Sequence, residues 1–448
     1  MPDNQSRSQS AVTRDKHRSL SLYWLKLRKR ILRVTAGGRW TEQLEAAVRN
    51  NLRWFWLDGV FAQASDAVLL SYLSLYLLAL DATAAQIGLL SALSNLSAAL
   101  LVIPGVAIVE RWGRRKQTVL LFGGGAARST LLMLALVPLA FSGPIAVYIV
   151  ILLAVVRTAL ANLSVPGWTS LIADIVPLNW RGRYFSSRNM AMGIAGMAVI
   201  YGVGQLINHM GAPAGYQLAM GLALILGVIS TYSFAHISEP TAAIVPRVGS
   251  SRRLPLRQNL RAAPDFVAFC AVAALWHLSL NIAGPFFSVH FVSGLKASVG
   301  FWGVLSVCNG LAALPGQRIS GILSDRWGPR RIQLITGLLI PFVPWMWALS
   351  RSPWHLVPVE LISGFLWAGY GLSSFNFLLA LSPADRRARY AAFYQIVVTV
   401  TLAIGAALGG VVATWWGYKA TFILSGLGRL GAAVLFVRFV RQPAPASA

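Results

Sequence analysis

From about residue 54 onward the sequence is a series of long apolar runs separated by short charged turns. Stretches such as 131–140, 145–156 and 219–229 are almost continuously apolar. They lack the alternation of a barrel strand and predict helices that cross a hydrocarbon layer of about 30 Å. Twelve spans are expected, at 54–80, 85–109, 117–140, 144–166, 189–208, 215–237, 266–292, 298–317, 332–350, 354–380, 391–415 and 420–437.

Two of the turns between these runs occur twice. Glu110-Arg111-Trp112-Gly113-Arg114-Arg115, between spans two and three, returns as Asp325-Arg326-Trp327-Gly328-Pro329-Arg330, between spans eight and nine. The segment from Pro177 to Tyr184 returns as Pro383 to Tyr390, both fitting P-x-x-x-R-[GA]-R-Y. Two markers recurring in one order, at offsets of roughly 210 residues, indicate an internal duplication. Parallel repeats of this kind are a recurrent transporter plan. The expected organisation is a basic tail over 1–53, a six-helix bundle over 54–237, a linker over 238–265, a second six-helix bundle over 266–438 and a short tail over 439–448.

Composition fixes the solvent. With 56% hydrophobic and only 12% charged residues, most of the surface has to face lipid, so the fold class is an all-α integral membrane protein. The net charge of +25 would suggest a nucleic-acid partner were it not so unevenly placed. With both termini inside, the outer loops hold only Lys296, Arg351 and Lys419, while Arg128, Arg157 and Arg429 fall within spans. The charge is therefore a topology signal, and no nucleic acid is expected. It predicts a multi-pass protein of a bacterial cytoplasmic (inner) membrane with both termini cytoplasmic.

In the first tail Leu20, Trp24, Leu27, Ile31 and Val34 recur at helical spacing opposite Lys26, Lys29, Arg30 and Arg33. That pattern suits a basic helix lying on anionic lipid; the other reading is a polybasic tail that only sets topology. The polar opening residues predict no cleavable signal. Neither tail nor linker is long enough for a catalytic domain, and no phosphate-binding loop occurs, so any energy must come from a solute or ion gradient. Cys270 and Cys308 lie within spans, and the six histidines show no metal-ligand spacing. No enzyme activity, metal or cofactor is expected, and the chain reads as a monomer.

The repeated turns carry a resemblance. The chain resembles the major facilitator superfamily, whose hallmark G-x-x-x-D-R-x-G-R-[RK] lies between spans two and three and is echoed between spans eight and nine. Gly321, Asp325, Arg326, Gly328 and Arg330 fit the second copy, with Pro329 in place of a basic residue. The first copy keeps Arg111, Gly113, Arg114 and Arg115, but has Glu110 for Asp and Val106 at the usual Gly position. The resemblance implies two six-helix halves with spans one, four, seven and ten around a central cavity.

A carboxylate at Glu110 or Asp325 is placed to cap a helix start in the opposite half. Glu110 is expected to meet the region of Arg389 and Tyr390, and Asp325 that of Arg183 and Tyr184, closing a cytoplasmic gate; the plainer reading is that these charges anchor loops. Inside the membrane, where ionisable groups cost about 2.5–3.5 kcal/mol and face cavities or partners, Asp66 and Arg157 can pair, for coupling or for structure alone. Glu360 is a second candidate proton carrier or an interfacial glutamate. His277 and Asn281 share one helix face, either as a solute contact or as an interhelical hydrogen bond. Trp367, Tyr370, Phe375, Asn376 and Phe377 crowd the tenth span, as recognition groups or as packing.

The expected function is secondary active transport of a small organic solute by alternating access, with proton coupling. Export of drugs or amphiphiles by proton antiport is the first alternative; the fifth span has Gly193, Gly196, Gly202 and Gly204 but no proline of the usual antiport signature. A transporter-like membrane sensor or lipid-handling protein is the second.

Overall fold

The computed structural model describes residues 35, 38–239, 263–382 and 387–440. The expected basic helix of the first tail, most of the linker and the turn at 383–386 lie outside these residues.

The described residues are helical and hold no strand. The spans are α1 (Ala46–Ala79), α2 (Ala84–Trp112), α3 (Arg115–Ala140), α4 (Gly143–Ile175), α5 (Arg181–Met210), α6 (Ala214–Ala235), α7 (Pro264–Gly294), α8 (Val299–Trp327), α9 (Pro329–Leu349) and α10 (Pro353–Leu381). The last helical run, Arg387–Phe439, is broken at Gly417, whose φ of 78° and ψ of 172° no helix accommodates. It therefore comprises α11 (387–416) and α12 (418–439), because an unbroken helix of that length would be more than twice as long as a bilayer is thick. Twelve spans result among the described residues.

Several helices outrun the predicted spans at the Arg-rich end. α1 begins at Ala46 instead of 54, α4 continues to Ile175 instead of 166 and α5 begins at Arg181 instead of 189. Hydropathy marks where a helix is in lipid, not where its hydrogen bonding stops, so polar helical turns outside the apolar window go unread.

The duplication is visible in detail. Among the described residues, Asp81 and Lys296 are the two non-glycine residues with positive φ (62° and 54°), and each lies two positions before an N-cap, Thr83 and Ser298. Thr83 Oγ1 accepts from the Gln86 amide while Gln86 Oε1 accepts from the Thr83 amide, closing a capping box; Ser298 Oγ accepts from the Phe301 amide. At the other end of the same helices, Gly113 (φ 61°) and Gly328 (φ 82°) supply the left-handed turn out of α2 and α8. Start, end and turn of α2 are thus repeated in α8.

The two halves meet along α2 with α11 and along α5 with α8. A Cβ added at Gly88 would stand 2.7 Å from the Gly410 Cα, and one at Gly303 would stand 3.1 Å from the Ile200 carbonyl oxygen. Gln205 Nε2 donates across the same seam to the Gly300 carbonyl at 3.3 Å, and Asn281 Nδ2 to Ser91 Oγ at 3.3 Å. All these contacts lie toward the end away from the Arg-rich turns. At the Arg-rich end Glu110 and Asp325 are exposed and take part in no ion pair among the described residues. Among the described residues, these close contacts between the halves stand at the far end.

Candidate functional site

Two cavities adjoin inside the helical bundle. The first, of about 320 Å³, is enclosed by α1, α3, α4, α5 and α6 within the first half and carries Asp58, Asp66, Arg128, Arg157 and Arg188 on its wall. Asp66 is the hub. Its Oδ1 accepts from Arg157 Nη2 and, at 3.1 Å, from Arg128 Nη1, which also donates to Ser65 Oγ at 2.9 Å. Arg128 reaches this point from α3 through a local change of winding: Val119–Ala126, which contains three consecutive glycines, is π-helical and forms part of the cavity wall. Such insertions turn the following side chains and recur at functional sites.

Asp58 sits two turns before Asp66 on α1 and is buried, with Ser230 Oγ donating to it at 2.7 Å. Arg128 and Arg188 are both near enough to act on it electrostatically. Arg188 donates through Nε to the Phe55 carbonyl at 3.2 Å and lies 4.2 Å over the Phe55 ring, so its charge is held by a carbonyl and a π face, not by a carboxylate contact. Gly59 makes room for it: an added Cβ would come within 2.3 Å of the guanidinium.

The second cavity, of about 570 Å³, opens between the halves in the far part of the molecule. Its wall combines Ser74 and Ser91 from the first half with Asn281, Asn309, Glu360, Arg429 and the rings of Phe287, Trp302, Trp347 and Trp367 from the second. Glu360 accepts from Asn309 Nδ2 at 2.7 Å and from Trp347 Nε1 at 3.0 Å, with no cation beside it among the described residues. Arg429 is buried, donates to the Leu280 carbonyl at 3.4 Å, faces the Trp367 ring at 5.9 Å and has no carboxylate partner among the described residues. On α1, Asp66 faces the first cavity and Leu70, one turn further, the second, so the two adjoin.

Of the residues singled out from sequence, Asp66 and Arg157 come together in the first cavity, and Asn281, Glu360 and Trp367 in the second. His277 and Asn281 share a face as expected from their spacing, but that face is turned to α11: Asn281 donates to the Leu402 carbonyl at 2.7 Å and the His277 ring lies 6.5 Å from Tyr394. His277 bonds its own helix at the Ala273 carbonyl and, like Asn376, lines neither cavity.

Among the described residues Glu110 and Asp325 form no ion pair with the helix starts of the opposite half. Tyr184 donates instead to the Leu52 carbonyl at 2.7 Å and stacks on Phe55, while Tyr390 packs on Phe266 at 4.5 Å, each within its own half. Arg183 lies 5.0 Å over Trp180, Arg389 is exposed, and Arg111, Arg114 and Arg326 stay at the surface of the basic end. Arg114 reaches only Gln117, at 3.2 Å. Arg115 and Arg330, equivalent in the two turns, each tie their turn to other segments of their own half. Arg115 bonds Asp174 at 2.5 Å and Glu239 at 3.0 Å, and Arg330 donates to the carbonyls of Val440 and Val437 at 3.1 and 3.4 Å.

Sequence reasoning passed over Asp58 and Arg188. Arg188 lay one residue outside the predicted fifth span, and Asp58 lay close to a predicted membrane edge, where a carboxylate draws no notice. A signal was present: Asp58 and Ser65-Asp66 fall at two-turn spacing on one span.

The sequence model of the Major Facilitator Superfamily matches residues 55–279 and 266–448. The multi-drug resistance efflux pump PmrA of Streptococcus pneumoniae is 24% identical over 393 residues, covering 85% of this chain and 93% of that protein. An uncharacterized MFS-type transporter of Mycobacterium tuberculosis is 25% identical over 386 residues, covering 83% and 88%. Among solved structures, the nucleoside transporter NupG superposes with a TM-score of 0.68 at 13% identity (88% of this chain, 99% of that one), and a D-xylose-proton symporter with 0.67 at 15% (88% and 98%). The chain belongs to the Major Facilitator Superfamily of multi-pass membrane transporters.

Proposed function

We propose that the protein is a proton-coupled secondary transporter of a small organic solute, working by rocking of its two halves about the cavities between and within them. The observation that carries this reading is Asp66. Its carboxylate is held by Arg128 and Arg157 inside the membrane and yet is 44% exposed to the cavity, so a proton can reach it from one face and exchange with the ion pairs. Glu360 is a second proton carrier, since it faces the far cavity held by neutral donors, with no ion-pair partner among the described residues.

The basic end is the cytoplasmic end of an inner-membrane protein with both termini inside, so the present state is inward-open. Glu110 and Asp325 close that end in the opposite state by meeting the starts of α11 and α5. The protein acts as a monomer, with its basic tail on anionic lipid.

The rings of Phe287, Trp302, Trp347 and Trp367 around the far cavity favour an amphiphilic solute. This supports export of such compounds as a second reading, as does the similarity to a pump named for multi-drug resistance.

Proteoliposomes with an imposed proton gradient, scored against a library of nutrients and amphiphiles, test both. Wild type should move at least one solute with the gradient, and Asp66→Asn should lose gradient-driven accumulation while keeping solute exchange. Accumulation that survives in Asp66→Asn removes Asp66 as the coupling group, and absence of any gradient-dependent flux defeats the transport reading.

A further inference from the structure

The cavity within the first half has a charge imbalance that proton coupling does not require. Its wall holds three guanidiniums, on α3, α4 and α5, against two carboxylates, both on α1; α6 adds only Ser230, Thr231 and Phe234. The imbalance is also local. Asp66 alone is shared by Arg128 and Arg157, and both arginines keep a buried Nε with no hydrogen-bond partner among the described residues. Asp58 is satisfied by Ser230, and Arg188 by a carbonyl and a ring.

One positive charge is therefore left over in a low-dielectric space. An uncompensated buried charge is costly, and the means of relieving it is a ligand of opposite sign. Guanidiniums present planar forks that match a carboxylate. The surplus of one charge fits a monoanion, and about 320 Å³ fits a small organic acid.

We propose that the cavity between Asp66, Arg128, Arg157 and Arg188 is an anion site that receives the carboxylate group of a small organic monoanion in competition with Asp66. This rests on the transport reading only for its consequence. When the ligand's carboxylate divides the Arg128 and Arg157 donors with Asp66, three guanidiniums face three carboxylates and the wall is neutral. The loaded carrier then changes state without the surplus charge of the empty one.

The test uses three probes of one shape and different charge: benzoate, benzamide and benzylamine. Thermal midpoints of the purified full-length protein are recorded against each, and affinity is taken from the concentration dependence. Benzoate should stabilise the wild type and the other two should not. Asp66→Asn removes the competitor and leaves the arginines in place, so it should bind benzoate roughly tenfold more tightly. Arg128→Gln cancels the surplus charge and should abolish the response.

Stabilisation by benzylamine instead of benzoate overturns the proposal, as does a benzoate response in Arg128→Gln equal to that of wild type. If Arg128→Gln does not fold, Asp66→Asn decides: no tightening, or no benzoate response in either protein, rejects the site. The transport reading is scored separately by gradient-driven flux. Flux without benzoate binding removes the anion site alone, and benzoate binding without any flux removes the transport reading alone.

Discussion

Asp66 of α1 and Asn281 of α7 stand at equivalent points of the two repeats, each the same distance before its Arg-Trp-Gly turn, yet one is gripped by guanidiniums and the other by neutral groups. Arg128 and Arg157 hold Asp66, whereas Asn281 donates to the Leu402 carbonyl at 2.7 Å and, across the seam, to Ser91 at 3.3 Å. Duplication supplied a polar residue at this depth in both halves, and divergence made the first half a charged pocket and the second a wall of the aromatic one. Asn281→Leu removes a buried hydrogen bond to each side, and each is worth about 1 kcal/mol. Loss of the bond to Ser91, made only while the far end is closed, should shift the population toward the far-open state by roughly fivefold. Distance distributions between spin labels on α2 and α11 check it; an unchanged distribution means that the bond to Ser91 does not bias the two states.

Close approach of backbones makes a sharper lever at the same end. Gly88 lies so near α11 that an added Cβ would meet the Gly410 Cα at 2.7 Å and the Ala406 carbonyl oxygen at 2.8 Å. Gly88→Val should therefore force the far end apart and make a cysteine placed at Ser74 reactive toward an impermeant thiol reagent added from outside. Gly221→Ala, in open space on α6, should leave that reactivity and the thermal midpoint as they are. Equal labelling of wild type and Gly88→Val would show that α2 and α11 do not form the outer closure.

Asp325 should behave in the opposite way. Its side chain is exposed and unpaired among the described residues, so Asp325→Asn should cost the present state less than about 0.5 kcal/mol. If it caps α5 when the basic end closes, the same change should weaken the closed state and reduce outside labelling at Ser74, with transport falling in parallel. Arg115→Ala separates gate from scaffold. It breaks bonds to Asp174 and Glu239, so it should lower the thermal midpoint clearly, whereas Asp325→Asn should not.

These contrasts also show what the sequence could and could not carry. The repeated turns and apolar runs report local periodicity, and periodicity is enough to place twelve helices and pair their ends. Asp66 and Arg157 were legible because each is a charge near the centre of an apolar run. Arg188 was not, because hydropathy ends a span where arginine begins, although the helix continues. Arg128 was visible but unplaced: its direction depends on the π-helical winding of Val119–Ala126, which three consecutive glycines permit but do not announce. The gate was read from charges at helix ends, a local signal that does not say which helix faces them; Tyr184 is found bonding Leu52 and Tyr390 packing on Phe266.

Arg429 sets stability against function most directly. It is buried on α12 against the Trp367 ring, its Nε has no partner among the described residues, and its Nη2 donates to the Leu280 carbonyl at 3.4 Å. A guanidinium so poorly compensated works against the folded state, and replacing such a charge by an apolar side chain of similar length is commonly neutral or stabilising by about 1–4 kcal/mol. Arg429→Met should thus hold or raise the thermal midpoint. If the charge is kept because a solute in the far cavity needs it, the same variant should lose most gradient-driven flux, and Arg429→Lys should recover little, since an ammonium lacks the planar fork that stacks on Trp367. A raised midpoint with undiminished flux would make Arg429 a tolerated defect of packing, whereas a lowered midpoint would mean that its bond to α7 and its stacking outweigh the cost of burial.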